Sequence, residues 1–300
     1  MNLQSGLYGY SGDAIHVVDM HTTGEPTRII THGYPELQGE TLLDKRRDAK
    51  GRYDHLRRRS GDMYGALLVH ETEHVLDGTA DIGVLFLHNE GYSTMCGHAT
   101  IALGRFLVDT YDNDIFPGRA KLPYDADNKT TTLRLHAPCG VVTVSVPTTC
   151  RRFQDGTERL MADPERTVAF TSVPCFASLM DYSFPIPRDS RWPQLQASGR
   201  ESITISVAYG GAFYLLVDAQ ELGFSEGLRT KGVDLGDYDV VTKTVKALVE
   251  ADEGFCKRYL RHPEEEDLSF LCKLLFALIR YNVEIMDLNR PLIPGTAQTQ

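Results

Sequence analysis

A mixed order of strand and helix patterns predicts an α+β fold for this 300-residue chain. Several segments alternate apolar and polar residues between turn residues, which is the pattern of half-buried strands. The stretch MCGHATIALGRFLVDT, beginning at Met95, has almost no polar side and predicts a helix inside a core. Because strand and helix patterns do not alternate regularly, a parallel βαβ sheet is not expected.

The first part of the chain predicts several strands before that helix. The segment AIHVVDMHTTGEPTRIITHG indicates two strands joined by a tight turn at TTGEP. Residues 44–62 are charged throughout and favour a solvated helix or loop. Two apolar runs, Ala66–Val69 and Ile82–Leu87, predict buried strands. Ser93 or Thr94 is expected to cap the helix that follows.

The second part predicts further strands and one amphipathic helix. Alternation predicts strands in TTLRLHAPCGVVTVSVP, RTVAFTSVPCFA and ESITISVAYGGAFYLLVDAQ. Tyr238–Ala251 predicts the helix, and the apolar stretch LSFLCKLLFALIRY follows it. From about residue 284 the sequence has no periodicity, so we expect a frayed tail there.

Composition excludes several classes of protein. The net charge of −10 disfavours a nucleic-acid or anionic-membrane binder, because such binding needs positive charge. No apolar run is long enough for a bilayer helix, and the first residues do not resemble a signal peptide, so a cytoplasmic protein is expected. The six cysteines have no paired spacing, which predicts thiols rather than disulfides. A small-molecule ligand is compatible with this net negative charge.

The start of the apolar helix carries the candidate chemistry. The first N–H groups of a helix lack intrahelical partners, and the helix dipole favours an anion there. The same helix end stabilises a thiolate, the form in which Cys96 would act as a base. Gly97 would allow a substrate to approach the backbone, and His98 could donate to a carboxylate or hold the thiolate. The alternative is that Cys96 is a small buried packing residue.

Other polar residues admit rival interpretations. VHETEH contains the H-E-x-x-H zinc-hydrolase pattern at His70, Glu71 and His74, which requires a helix that places both histidines on one face. Glu25 and Arg28, beside the predicted turn, are expected to form a local ion pair.

Several segments resemble the proline racemase family. NEGYSTMCGHATIALGR is similar to the first catalytic motif of that family, and the similarity extends over roughly Ala14 to Val283. Further matching segments, in the family's order, are DMHTTGEPTRII, MYGALL, ADIGVLFLHNEG, TSVPCFA, SVAYGGAFYLLVDA and HPEEEDLSFLC.

The resemblance implies a fold like that of diaminopimelate epimerase, with two similar halves, each a curved β-sheet around a central helix. We assign residues 1–160 to the first half and 161–300 to the second half, which is expected to be incomplete. In this family Cys96 would be the acid or base, and Gly97 and His98 would bind the substrate carboxylate. No cofactor or metal is implied, the ligand would be a proline-like imino acid, and a homodimer is an option.

The resemblance leaves the reaction open. Racemases of the family carry a second cysteine in a DRSPCG-like motif, and dehydratases carry threonine there, but the sequence has no such motif and diverges from about residue 284. Arg59, Ser60 and Gly61 stand where the family has an EPRGH-like segment. Similarity around VHETE favours dehydration of trans-3-hydroxy-L-proline to pyrroline-2-carboxylate. Proline racemisation, 4-hydroxyproline epimerisation and a truncated inactive paralogue are the alternatives.

Overall fold

The computed structural model describes residues 14–54, 64–88, 91–224, 235–269, 271–277 and 296–297. The chain divides into two compact units, the first ending at Phe170 and the second beginning at Thr171. The segment at Arg59, Ser60 and Gly61 lies outside the described residues, as does the tail from residue 284 apart from Thr296–Ala297.

The first unit is built on one mixed sheet. Its strands follow the order β1-β2-β3-β4-β7-β8-β10, while β5 pairs with β4, β6 with β7 and β9 with β8. The strands are β1 (His16–Thr22), β2 (Glu25–His32), β3 (Tyr64–Val69), β4 (Ile82–His88), β5 (Gly91–Ser93), β6 (Tyr124–Asp125), β7 (Thr130–Ala137), β8 (Gly140–Arg152), β9 (Glu158–Ala162) and β10 (Ala169–Thr171). Its helices are α1 (Leu42–Arg52), α2 (Glu73–Leu76), α3 (Gly97–Asp109) and a 3₁₀ turn, Arg119–Lys121.

The hairpin of β1 and β2 confirms the two strands predicted around TTGEP. Thr22 pairs with Glu25, so the turn consists of Thr23 and Gly24, with φ of +49° and +98°. Positive φ at both turn residues matches the right-handed twist of the strands, and glycine adopts it without steric cost. The expected ion pair between Glu25 and Arg28 is wrong. Arg28 donates instead to both carboxylate oxygens of Asp19, its partner across the strands, at 2.7 Å.

Helix α3 forms the centre of the first unit, as its apolar sequence predicts. Its buried positions are Ala99, Thr100, Ala102, Leu103, Gly104, Leu107 and Val108. The helix contacts β1, β2 and β3 and also β8 and β9, which belong to opposite parts of the strand order. The sheet therefore curves around the helix. The predicted cap at Ser93 or Thr94 is wrong, because the N-cap residue is Cys96.

One glycine allows the helix to approach the sheet closely. A Cβ atom at Gly104 would lie 2.6 Å from Val144 Cγ1 on β8 and 3.3 Å from Val146 Cγ2. Valine side chains have little rotamer freedom to move away. Glycine at this position therefore sets the distance between α3 and β8.

The second unit has its own sheet and helices. Strands β11 (Phe176–Pro185), β12 (Ser202–Tyr209) and β13 (Phe213–Asp218) form an antiparallel sheet, to which β14 (Leu271–Ala277) adds in parallel. The last strand that the structure describes is β15 (Thr296–Ala297), which has two residues. Helices are α4 (Pro193–Ala197), α5 (Leu235–Ala251) and α6 (Glu253–Tyr259), with 3₁₀ turns at Arg188–Ser190 and Glu266–Leu268.

Helix α5 contacts β14, and its buried side chains recur at helical spacing: Tyr238, Val241, Val245 and Val249. This spacing gives α5 a single apolar stripe. The amphipathic helix predicted over Tyr238–Ala251 is thus confirmed, and so is the α+β class of the fold. Among the described residues, no helix combines the length and the apolar character that crossing a bilayer requires.

The close contact at Gly104 leads to a stability prediction with an internal control. Gly104→Ala gains about 1 kcal/mol of helix propensity but inserts a methyl group into Val144, which typically costs about 1–3 kcal/mol. We expect the free energy of unfolding to fall by roughly 1 kcal/mol. Gly51→Ala, in α1, has no heavy atom within 4 Å of the added Cβ and should instead raise it by about 0.5–1 kcal/mol. Urea midpoints measure both, and equal shifts would contradict the packing argument.

Candidate active site

The N-terminus of α3 holds Cys96 in a defined backbone position. Cys96 is extended, with φ of −146° and ψ of 108°, and its carbonyl accepts hydrogen bonds from Thr100 N at 3.0 Å and Thr100 Oγ1 at 2.8 Å. The residue is 5% exposed. The first N–H groups of α3 follow directly, and they have no acceptor within the helix. The structure therefore places a thiol beside the end of the helix that prefers an anion.

His98 lies against the sulfur of Cys96. Its Nδ1 and Nε2 atoms are 3.5 Å and 3.6 Å from Cys96 Sγ. A thiol and an imidazole at this distance can share or exchange a proton. The predicted position of Cys96, Gly97 and His98 at the start of the helix is thus confirmed.

Residues distant in sequence support His98. Thr22, at the end of β1, donates its hydroxyl hydrogen bond to the carbonyl of His98 at 2.9 Å. The ring of Tyr64 meets the His98 ring edge-on, with centroids 5.0 Å apart, and stacks on His88 at 5.4 Å. Neither Thr22 nor Tyr64 was predicted from the sequence to contact His98, because both contacts join segments far apart in the chain.

A cavity of about 630 Å³ opens beside the first turns of α3, within the first unit. Gly97 and His98 line it, and Ile101 continues the same face of the helix. The β1–β2 hairpin forms one wall, residues 164–168 form another, and Phe170 lies 3.6 Å from where a Cβ of Gly97 would be. Cys96 does not belong to the lining. A ligand in this cavity would contact the two predicted carboxylate-binding residues first and the sulfur through or past His98.

The charged groups of the cavity come from three elements. Glu25 belongs to the hairpin, Arg105 to helix α3, and Glu165 and Arg166 to the loop of residues 164–168. Arg105 donates to the carbonyl oxygens of Asp163 at 3.2 Å and Arg166 at 3.1 Å. These bonds fix the loop of residues 164–168 to α3.

The zinc-hydrolase interpretation of VHETEH is wrong, because it requires His70 and His74 on one face of a helix. His70 follows strand β3, and helix α2 begins only at Glu73 and is four residues long, so the two histidines do not share a helix face. His70 Nε2 is 2.9 Å from the carbonyl of Ile115, and His74 Nδ1 is 2.9 Å from Thr79 Oγ1. Within the described ranges, no three His, Cys, Asp or Glu side chains are arranged to hold a metal ion.

His74 instead packs against a buried histidine, His136. The two rings are 4.5 Å apart, His136 Nδ1 is 2.9 Å from Thr72 Oγ1, and His136 Nε2 is 3.9 Å from Glu73 Oε1. His136 is 4% exposed. Burial lowers the pKa of His136 to about 4. The negative charge of Glu73 acts in the opposite direction and raises the pKa, while His74 lowers it slightly further. This cluster joins β7 to α2 and is structural.

The sequence model of the proline racemase family matches residues 17–278. The trans-L-3-hydroxyproline dehydratase of Pongo abelii is 40% identical over 265 residues, which are 86% of this chain. The chain spans 62% of the length of that relative.

Two solved structures share the fold. A probable proline racemase from Agrobacterium radiobacter, with bound carbonate, superposes with a TM-score of 0.63 at 20% identity, over 88% of this chain and 66% of its own. A hydroxyproline epimerase from Agrobacterium vitis, with bound trans-4-hydroxy-L-proline, superposes with a TM-score of 0.58 at 20% identity. This superposition covers 87% of this chain and 65% of the epimerase chain. At this identity they establish the architecture of the chain.

The buried histidine predicts a dependence of stability on pH. Between pH 6.5 and about 4 the unfolded chain protonates His136 while the folded chain does not, so the free energy of unfolding falls as the pH falls. We expect this contribution to be on the order of 1–3 kcal/mol and to be absent in His136→Asn. Urea unfolding at several pH values, with exposed His16→Asn as control, measures it. A wild-type pH dependence of stability in His136→Asn would contradict the assignment of this effect to His136.

Proposed function

This chain belongs to the proline racemase family, and we propose that the protein is a trans-3-hydroxy-L-proline dehydratase. The observation that carries the proposal is the 40% identity, over 86% of this chain, with a relative of that name. The helix-end site supports it, because it combines a thiol, an imidazole and backbone donors beside a cavity large enough for a small imino acid.

The proposed chemistry begins with the substrate carboxylate at the first turn of α3. The backbone N–H groups and His98 would neutralise part of its charge, which matters because removing the α-proton adds a second negative charge nearby. The Cys96 thiolate accepts that proton, and the electron pair remains on the α-carbon. Cys96 does not line the cavity, but His98 does and lies 3.5 Å from the sulfur, so the imidazole offers the proton a short path to the thiolate.

The second step expels the hydroxyl group from the adjacent ring carbon. The electron pair on the α-carbon forms the carbon–carbon double bond, and the carbon–oxygen bond breaks. The leaving hydroxide takes the proton that Cys96 removed from the α-carbon and departs as water, which returns Cys96 to the thiolate. The enamine then tautomerises to pyrroline-2-carboxylate. Substrate equals product plus water, so no oxidant or reductant is needed.

Product analysis with the purified chain tests the proposed reaction. We expect trans-3-hydroxy-L-proline to give pyrroline-2-carboxylate and water, measured by NMR. In parallel samples in D₂O, L-proline and trans-4-hydroxy-L-proline should keep their configuration. Inversion of either one without dehydration would favour racemase or epimerase activity, and no reaction with any of the three would contradict an active enzyme.

The role of Cys96 is tested by replacing it with serine and making the same replacement at Cys150 as a control. We expect Cys96→Ser to lower kcat about 10²–10⁴-fold, the usual contribution of a positioned base, and to abolish exchange of the α-proton with solvent deuterium. Cys150→Ser, at an exposed thiol outside the cavity, should retain wild-type rates. Circular dichroism verifies that both variants are folded. Undiminished exchange in Cys96→Ser would remove the thiol from the mechanism.

A further inference from the structure

The open end of the β1–β2 hairpin brings two histidines together. His16, the first residue of β1, pairs across the strands with His32, the last residue of β2. Their ring centroids are 6.1 Å apart, and the ring planes are nearly perpendicular, at 87°. Neither histidine lines the cavity beside α3. The turn lies at the other end of β1, about 20 Å away at roughly 3.3 Å per residue.

A close backbone contact holds the two histidines in place. Gly33 follows His32 with φ of +77°, and a Cβ atom there would lie 2.1 Å from the carbonyl oxygen of Ala14 and 3.0 Å from Ile15 Cα. Glycine lets the chain that leaves β2 pass this close to the chain that enters β1. Strand pairing and this contact therefore fix the backbones that carry His16 and His32.

The hydroxyl group of Thr31 determines which nitrogen of His32 carries the proton. Thr31 Oγ1 donates to the carbonyl of His16 at 3.3 Å, and it lies 3.2 Å from His32 Nδ1. A hydroxyl group has a single hydrogen, and here that hydrogen points to the carbonyl. The contact with His32 therefore requires Nδ1–H as the donor. In the neutral ring of His32, the lone pair is then on Nε2.

This arrangement is the one that metal-binding histidines use. Such a histidine donates its other ring N–H to an oxygen atom, which fixes the tautomer and the orientation of the ring. Among the residues that the structure describes, no hydrogen bond or ion pair engages His32 Nε2 or the ring of His16. The His16 residue is exposed and His32 is half-buried, so an ion reaches both from solvent.

We propose that His16 and His32 together bind one divalent transition-metal ion that favours imidazole, such as Ni²⁺ or Zn²⁺. Metal–nitrogen bonds of about 2.0–2.1 Å place the centroids of two rings about 5 Å apart in a tetrahedral site. The observed 6.1 Å is about 1 Å longer, and rotation of the exposed His16 side chain closes this difference. Two imidazoles supply two ligands, and water completes the coordination. The site is independent of the proposed reaction.

Calorimetric titration of the untagged chain with NiCl₂ tests the site, because thiolates compete less for Ni²⁺ than for Zn²⁺. We expect one ion per chain. His16→Asn and His32→Asn should each lower the affinity about 100-fold, since the second bond of a chelate forms within one molecule and is lost in both variants. Thr31→Val, which removes the buried hydroxyl group, should lower it about 10-fold by releasing the tautomer of His32.

Three controls locate the ion. His70→Asn, at an exposed histidine outside the pair, should keep the wild-type affinity. MgCl₂ should not bind at this site, because Mg²⁺ takes oxygen ligands. In NMR spectra, paramagnetic Ni²⁺ should broaden the side-chain signals of His16 and His32 and leave those of His136 sharp. Circular dichroism verifies that each variant is folded.

Several results would overturn the site. They are a dissociation constant for Ni²⁺ above about 1 mM in the wild-type chain, wild-type affinity in either variant of the pair, and broadening confined to other histidines. Unchanged affinity in Thr31→Val would overturn the tautomer assigned to His32.

Discussion

The site depends on the burial of helix α3 with its N-terminus beside a cavity. A helix end exposes N–H groups that lack partners, and their dipoles favour an anion most where water is scarce. Apolar packing of Ala99, Leu103 and Leu107 inside the curved sheet holds this end in place. The position of Cys96 as N-cap follows from that packing, and the thiol therefore lies where negative charge is stabilised.

The second constraint is the attachment of the hairpin to the helix. The hydrogen bond from Thr22 to the carbonyl of His98 attaches the end of β1 to the first turn of α3, although Thr23 and Gly24 of the turn are exposed. Glu25, the residue after the turn, lines the same cavity as Gly97 and His98.

The two histidine-containing motifs show how context decides the chemistry. The H-E-x-x-H pattern begins in the bend after β3, so its first histidine faces a loop carbonyl and its second packs on His136. The C-G-H pattern begins at the N-cap of a long buried helix, so its histidine contacts the thiol. These two short patterns that contain histidine thus differ in their contacts because only one of them begins a helix that crosses the core.

Local sequence determined the elements whose pattern is strong over many residues. Helix α3 is apolar nearly all round, and the strands at Ala66–Val69 and Ile82–Leu87 are continuous apolar runs, and each of these patterns predicted the element that the structure has. The resemblance to a known family, carried by the motif around Cys96, supplied the two-half architecture. Tertiary structure alone decided the N-cap at Cys96, the pairing of Arg28 with Asp19, and the contacts of Thr22 and Tyr64 with His98. These contacts join residues separated by many positions or depend on which strand neighbour is nearer, and neither is encoded in local periodicity.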